Sequence, residues 1–305
     1  MLLRPEVSAT VSQATLITGA ARSGTTIVGT LVHSLQGLDY VFEPPFLFAL
    51  LPLIDTLDPA VWRSLYETYL FEDFLMDSLA GRRLNFNQQD ESSVFRAKTV
   101  AEIENRIKGS SRRNDVFWQA QRTKIAYKMP DIVPYVSKLK SYYPAMKVIV
   151  LFREPEAVVD SLVKRGWFQT DASASERVQG PWKAFSPDMA FWVPNGTEQQ
   201  WRSASSLERA YLYYNWAYEP LLLLNPANVL VVNYDNLVSY PAREFERVRA
   251  YVGAPAGSLT EKVVASIKEP PATTSRTLCL MAQSMQERTL RLVNSIEERH
   301  NCGAN

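Results

Sequence analysis

The chain has 305 residues, of which 46% are hydrophobic and 21% are charged, and its 33 basic residues nearly balance 32 acidic ones. This composition excludes a disordered chain and a small disulfide-stapled fold, and a chain of this length buries roughly three quarters of its unfolded surface. The near-zero net charge argues against a protein that coats nucleic acid or anionic lipid, but it leaves room for a local basic pocket. We expect one large soluble globular domain with a small ligand.

Cysteine, histidine and the N-terminal segment narrow the cellular setting. Cys279 and Cys302 are too few for a disulfide framework, and two histidines cannot supply a histidine-based metal cluster. Charged residues interrupt the segment 1–13 where a signal peptide needs an apolar core, and the apolar stretch 46–57 is too short to cross a bilayer. We predict a cytoplasmic protein in a reducing compartment, with no metal and no membrane span.

Short β-branched runs alternate with longer amphipathic segments, which is typical of helices packed on a parallel sheet. The predicted strands are 14–18, 38–42, 147–152 and 228–234, and the predicted helices include 25–35, 155–166, 241–253 and about 278–298. The stretch 57–127 is expected to be mainly helical. The pattern predicts an α/β protein with three α/β/α layers around a central parallel sheet.

A glycine-bearing loop, Gly19-Ala-Ala-Arg-Ser-Gly24-Thr-Thr, lies between the first predicted strand and helix and has the Gly-x4-Gly spacing of a phosphate loop. Its backbone N–H groups and the hydroxyls of Ser23, Thr25 and Thr26 are expected to bind an oxyanion. A nucleotide triphosphatase would have lysine where Thr25 stands, and the cation here is Arg22, so the loop suits a shorter phosphate chain. The alternative is a glycine turn that only lets the helix pack on the sheet.

Five segments occur in a fixed order along the chain: ITGAARSGTT (17–26), EPP (43–45), YKMP (127–130), VIVLFREPEAVVDSLV (148–163) and VNYDNLVSYP (232–241). Together they resemble the sulfotransferases that use 3′-phosphoadenosine 5′-phosphosulfate (PAPS). The resemblance spans residues 14 to about 253. It is closer in motif style to the carbohydrate and tyrosylprotein branches than to the steroid and phenol enzymes, and it indicates a soluble, bacterial-type member.

The resemblance implies two groups of residues that bind the donor. Arg22 and the following four residues, Ser23, Gly24, Thr25 and Thr26, would contact the 5′-phosphosulfate. Arg153 and Ser161 would bind the 3′-phosphate, and the late Arg276 would close over it. Independently of the resemblance, Arg153 ends the central strand, where ligands bind in open α/β sheets. For Arg153 a surface salt bridge with a neighbouring glutamate stays open, and for Arg276 a plain surface position.

Glu43 and Lys128 are the candidate catalytic residues. Glu43 ends the second predicted strand beside the phosphate loop, and the resemblance implies that it is a general base. A capping, ion-pairing or substrate-orienting role is the alternative. Lys128 would stabilise charge that develops on the leaving phosphate, unless it is a solvated lysine. His33, expected on the surface, and His300, near the tail, match no base of the family.

The implied reaction is in-line transfer of the sulfuryl group of PAPS to a hydroxyl of a carbohydrate or small-molecule acceptor, with release of adenosine 3′,5′-bisphosphate and without a metal. An amine acceptor also stays open, as does the oligomeric state, with a homodimer among the options. No nucleic acid partner is expected. The alternatives are a phosphate-loop kinase or NTPase and a non-catalytic nucleotide-binding protein.

The predicted domain organisation follows the motifs. Residues 1–277 form a single sulfotransferase domain, and residues 278–305 form a C-terminal helix and tail. Insertions at about 46–125 and 166–201, the second of them rich in Trp, Phe and Pro, are expected to form the acceptor side of the site.

Overall fold

The computed structural model describes residues 3–109, 112–168, 192–268 and 276–300. Within these ranges five parallel strands form one sheet in the order β2-β3-β1-β4-β5. The strands are β1 (Thr15–Gly19), β2 (Leu38–Phe42), β3 (Lys124–Lys128), β4 (Lys147–Phe152) and β5 (Leu230–Asn233). The prediction of a central parallel sheet is therefore confirmed.

Helices precede and follow the strands along the chain. Those before β4 are α1 (Pro5–Ser12), α2 (Thr25–His33), α3 (Pro45–Leu50), α4 (Pro59–Thr68), α5 (Asp77–Leu79), α6 (Val100–Ile107), α7 (Arg113–Ala120) and α8 (Val133–Tyr142). Those after β4 are α9 (Pro155–Lys164), α10 (Glu198–Ser203), α11 (Ser206–Tyr218), α12 (Tyr234–Ser239), α13 (Pro241–Val252), α14 (Thr260–Ala265) and α15 (Gln283–His300). A π-helical segment, Tyr69–Met76, joins α4 to α5.

Helices cover both faces of the sheet, so there are two apolar cores. Leu16, Val148 and Val150 point to the larger core, which α1, α4, α8, α9 and α11 complete. Ile17 and Ile149 point to the smaller core, which α2, α13 and α14 complete. Because both faces are buried, β4 is a continuous apolar run, as expected for a parallel strand inside a sheet. The three-layer α/β/α prediction is confirmed.

At the centre of the sheet, the helices that follow neighbouring strands pack on opposite faces. Helix α2, which follows β1, packs in the smaller core, whereas α8 and α9, which follow β3 and β4, pack in the larger one. In open α/β sheets a crevice forms at the carboxyl ends of neighbouring strands whose connections leave on opposite faces. The loops after β1, β3 and β4 therefore meet at one edge of the sheet.

The prediction that 57–127 is mainly helical is wrong at its end. The run Lys124–Lys128 forms β3, which pairs with β1 on one side and β2 on the other. Five residues are too few to distinguish a strand from a helical segment by periodicity. In the sheet, Ile125 and Tyr127 reach the larger core and Ala126 the smaller one.

The prediction that His33 lies on the surface is also wrong. Its side chain is buried, and its ring centre lies 5.3 Å from that of Tyr40 in β2. Burial, followed by the charges of Lys98 and Arg106, holds the pKa of His33 well below its ordinary value. Helical periodicity missed this because the contacts come from distant parts of the chain.

The C-terminal helix α15 packs against the body of the protein. Leu292 and Ile296 are buried in the larger core, and the Asn215 side-chain amide of α11 donates a hydrogen bond to the Thr289 hydroxyl at 3.0 Å. Arg288 donates to Glu219 at 2.6 Å. Helix α11 is thus held between the sheet and α15.

The start of α11 gives a test of how firmly this helix is held. The Ser205 hydroxyl accepts the Glu208 N–H, and the Glu208 carboxylate accepts the Ser205 N–H at 2.8 Å, which is a capping box. We expect Ser205→Ala to lower the free energy of unfolding by about 1 kcal/mol, measured by urea denaturation. The control is Ser203→Ala, whose hydroxyl donates to the Gln200 carbonyl. Equal losses in the two variants would contradict the assignment.

Candidate active site

The loop after β1 has the backbone of an anion site. Gly19 and Gly24 have φ angles of 138° and 94°, and a side chain at Gly24 would overlap the ring of Tyr234. The Ser23 hydroxyl is buried and donates to the Ala20 carbonyl at 2.6 Å, which closes the turn. The loop leads directly into α2, whose first N–H groups have no carbonyl one turn earlier. The Ile27 N–H donates to the Gly24 carbonyl at 3.0 Å, so the N–H groups available to an anion are those of Thr25 and Thr26, at the very start of α2.

Glu43 and Lys128 meet at the mouth of this loop. Glu43 directly follows β2, Lys128 ends β3, and their side chains form an ion pair. The Lys128 ammonium also donates to the Thr26 hydroxyl at 3.3 Å and lies 4.2 Å from the ring centre of Phe42. One cation thus joins the carboxylate to the phosphate loop.

The two side chains differ in their exposure. The Lys128 side chain is 4% exposed, so the solvated-lysine alternative is wrong, whereas the Glu43 side chain is 35% exposed. Glu43 does form an ion pair, with Lys128, as one of the alternatives for this residue expects. Glu43 is still accessible from the solvent side, where a second reactant can approach.

The backbone of Glu43 is unusual for a glutamate. Its φ angle is 42°, in the left-handed region, and its N–H donates to the Lys128 carbonyl at 2.9 Å. Such a conformation costs about 1–3 kcal/mol and persists only where the surroundings hold it. Pro44 follows, and prevents the strand from continuing. The turn fixes the direction in which the carboxylate leaves the sheet.

Arg153 and Arg22 lie side by side at the end of β4. Arg153 donates through Nη1 to the Arg22 carbonyl at 3.2 Å, and its guanidinium carbon lies 4.2 Å from the ring centre of Tyr234. Arg22 donates through Nε to the Ser161 hydroxyl at 3.1 Å. The structure therefore brings Arg22, Arg153 and Ser161 together.

The electrostatics of this cluster favour an anion. Burial lowers the pKa of Arg22, and the neighbouring charges of Arg165 and Arg153 act in the same direction, against Glu91. The Nε atom of Arg153 is buried without an acceptor within the described ranges. No salt bridge between Arg153 and a neighbouring glutamate occurs among the described residues. A bound anion would supply the missing acceptor and relieve the cation–cation repulsion.

A cavity of about 430 Å³ opens beside the phosphate loop, between α2 and α14. Its apolar lining includes Ile27, Val263 and Ile267. Its charged lining consists of three cations and one carboxylate: Arg96, Lys262, Lys268 and Glu91. These residues have the sequence pattern of ordinary helix faces, so the sequence alone does not indicate a cavity there. Tyr234 is not predicted either, although it follows β5 as Arg153 follows β4.

Two further predictions concern Arg276 and the insertion 166–201. Arg276 is exposed, and no contact within the described ranges joins its side chain to the phosphate loop. Most of the insertion 166–201 lies outside the described residues. In its described part, the ring of Phe168 contacts the rings of Trp192, Trp201 and Tyr213 at the edge of the larger core.

Across the described ranges, no group of three or more His, Cys, Asp or Glu side chains is arranged to hold a metal ion. None of the helices that the structure describes has both the length and the apolar character that a bilayer crossing requires.

Comparison with known proteins gives one family match and several structural ones. The model of the sulfotransferase family matches residues 15–257. No protein of curated function matches the sequence.

Several solved structures are similar to this chain. The sulfotransferase domain of the Synechococcus PCC 7002 olefin synthase is 14% identical, with a TM-score of 0.45, over 93% of this chain and 94% of that one. A sulfotransferase from Alicyclobacillus acidocaldarius is 12% identical, with a TM-score of 0.44, over 99% and 98%. The sulfotransferase STF1 of Mycobacterium tuberculosis H37Rv is 16% identical, with a TM-score of 0.44, over 93% and 78%.

The matched segment 15–257 covers most of the chain and contains the phosphate loop, Glu43, Lys128 and Arg153. The chain therefore belongs to the sulfotransferase family, and it is an enzyme that transfers a sulfuryl group.

Proposed function

We propose that PAPS is the sulfuryl donor and that a hydroxyl of a small-molecule or carbohydrate acceptor receives the group. The observation that carries this proposal is the position of Lys128, which contacts both Glu43 and Thr26. The Lys128 ammonium thus contacts both the candidate base, Glu43, and the end of the anion-binding loop, Thr26. An amine acceptor uses the same geometry and is the second option.

The donor is assigned from the groups around the loop. The N–H groups at the start of α2, with the hydroxyls of Thr25 and Thr26, suit the phosphosulfate. The neighbouring cavity has the size and the apolar walls that a nucleoside needs. Arg153, with its unpaired Nε, suits the 3′-phosphate. These features favour a nucleotide with phosphates at both ends of its ribose.

In the proposed step, the acceptor oxygen forms a bond to sulfur while the bond from sulfur to the bridging oxygen breaks. Glu43 takes the proton of the acceptor hydroxyl. The electron pair of the broken bond goes to the phosphate oxygen of adenosine 3′,5′-bisphosphate. Lys128 and the N–H groups of the loop stabilise that developing negative charge.

Glu43→Gln tests the base. It keeps the size of the side chain but removes its ability to take a proton, so we expect kcat to fall by about 10²–10⁴-fold. Affinity for adenosine 3′,5′-bisphosphate should stay within about threefold, measured by isothermal titration.

The matched control for Glu43→Gln is Glu72→Gln. Glu72 also belongs to an ion pair, with Arg113 at 2.8 Å, but outside the phosphate loop. We expect near-normal turnover in the control. Near-normal turnover in Glu43→Gln would remove Glu43 as the base and leave it an orienting role.

Lys128→Ala tests the stabilisation of the leaving group. If the ammonium acts mainly in the transition state, kcat should fall by about 10²–10³-fold, and affinity for the bisphosphate should fall much less. The control is Lys147→Ala, whose ammonium donates to the Val252 carbonyl at 3.0 Å and lies at the start of β4. An effect of Lys128→Ala confined to donor affinity would contradict a transition-state role.

Arg153→Ala tests the identity of the donor. We expect the wild-type enzyme to bind adenosine 3′,5′-bisphosphate at least about tenfold more tightly than ATP or AMP, and the variant to lose that preference. Arg113→Ala, at the surface pair with Glu72, is the control and should keep it. Equally tight binding of ATP by the wild-type enzyme would contradict PAPS as the donor.

A further inference from the structure

Part of the phosphate loop is hydrogen-bonded to side chains of the protein itself. The Ala20 N–H donates to the Tyr218 hydroxyl at 3.2 Å, and the Ala21 N–H donates to the Tyr213 hydroxyl at 2.6 Å. The Ala21 N–H also donates to the Asp131 carboxylate at 3.1 Å. The first two N–H groups after Gly19 are therefore bound by protein oxygens and are unavailable to an anion.

Asp131 is attached to the loop twice. Its own N–H donates to the Gly19 carbonyl at 2.9 Å, and one carboxylate oxygen accepts both the Ala21 N–H and the Tyr213 hydroxyl. The residue is 6% exposed and has a φ angle of 66°, in the left-handed region that aspartate tolerates better than most residues. Backbone and side chain thus hold the same loop residues.

A second buried carboxylate shows what is particular about Asp131. Glu67 accepts the Tyr143 hydroxyl at 2.9 Å, and it also forms an ion pair with Arg63 at 3.3 Å. Asp131 has no salt bridge among the residues that the structure describes, and its hydrogen-bond donors are neutral. A buried carboxylate without a cation is costly, and this one lies under an anion-binding loop.

We propose that Asp131 is a positioning residue for donor binding. Together with Tyr213 it fixes Ala21, the residue directly before Arg22, so that the loop presents Arg22 and the N–H groups that begin α2 to the donor. The inference rests on the proposed function for the identity of the anion as a phosphosulfate. It adds a residue that touches neither the donor nor the acceptor.

Because Asp131 can ionise, its positioning role predicts that donor binding depends on pH. A residue that only stabilised the fold would not give this dependence. Burial raises its pKa to about 7; Tyr213, the Ala21 N–H and Lys128 oppose this rise, and Glu43 adds to it. Tyr218 is the other titratable group that faces it, from α11. The carboxyl therefore changes its protonation in the neutral range.

The sign of the effect follows from charge. A bound anionic donor disfavours the ionised carboxylate beneath the loop, so donor binding raises the pKa of Asp131 further and takes up a proton. Donor affinity should then fall as the pH rises through about 7. Ionisation of the donor's own phosphates is common to all variants, so a variant comparison removes it.

The experiment is isothermal titration of adenosine 3′,5′-bisphosphate between pH 6 and 8.5, in buffers of different ionisation enthalpy. Asp131→Asn keeps an oxygen for Ala21 but cannot ionise, so it should bind like the wild type at pH 6 and lack the proton uptake. Asp131→Ala loses the acceptor and should bind at least about tenfold more weakly at every pH. Tyr213→Phe removes the hydroxyl that accepts the Ala21 N–H, so it should also weaken binding of adenosine 3′,5′-bisphosphate.

Matched controls separate positioning from stability. Glu67→Gln and Tyr143→Phe alter the same kind of buried pair away from the loop, so they should lower the temperature of thermal unfolding while proton uptake on donor binding stays that of the wild type. Acceptor KM should be unchanged in all variants. If Asp131→Asn keeps the proton uptake of the wild type, or Asp131→Ala keeps its affinity, the inference is overturned.

A second probe distinguishes this inference from the proposed function. Inorganic sulfate tests the loop without the nucleotide. If the bisphosphate fails to bind the wild type but sulfate binding still depends on Asp131, the donor proposal fails and the positioning role stands. If the bisphosphate binds and the variants do not differ, the positioning role fails alone. Binding of neither probe would overturn both.

Discussion

The ammonium of Lys128 is buried, and a buried charge must have partners. It finds them in Glu43 and in the hydroxyl of Thr26, each from a different connection of the sheet. This requirement places the end of β2 beside the phosphate loop after β1. The strand order makes it possible, because β3 lies between β1 and β2 and carries Lys128 at its carboxyl end. The candidate base is thereby brought to the loop.

A second constraint concerns the N–H groups of the phosphate loop. Two of them, on Ala20 and Ala21, are used to fix the loop to α11, and those that begin α2 are left for a ligand. The tyrosines of α11 also bind β4, since Tyr218 donates to the Leu151 carbonyl at 2.7 Å and Tyr214 to the Arg153 carbonyl at 2.8 Å. One helix therefore sets the position of the loop relative to Arg153.

The sequence predicts those features whose pattern lies within a few neighbouring residues, and it does not predict those that depend on contacts between distant segments. The phosphate loop and Glu43 were found because each follows a strand directly and carries its own turn residues. Arg153 was found because it ends an apolar run. Strand β3 was missed because it is short, and Asp131 because nothing in its neighbourhood distinguishes a carboxylate that binds the loop from one in a surface turn. Contacts between distant segments leave no local pattern.

The tyrosines of α11 show this limit in physical terms. The run from Tyr211 to Tyr218 contains four tyrosines and one tryptophan, and all its side chains are buried. A buried tyrosine hydroxyl needs a partner, however, and a partner can be found only when the fold is known. Here the partners of Tyr213 and Tyr218 include the first N–H groups of the loop, so their hydroxyls decide which N–H groups stay free for an anion. The capacity of the loop to bind its ligand is thus set by residues almost two hundred positions away in the chain.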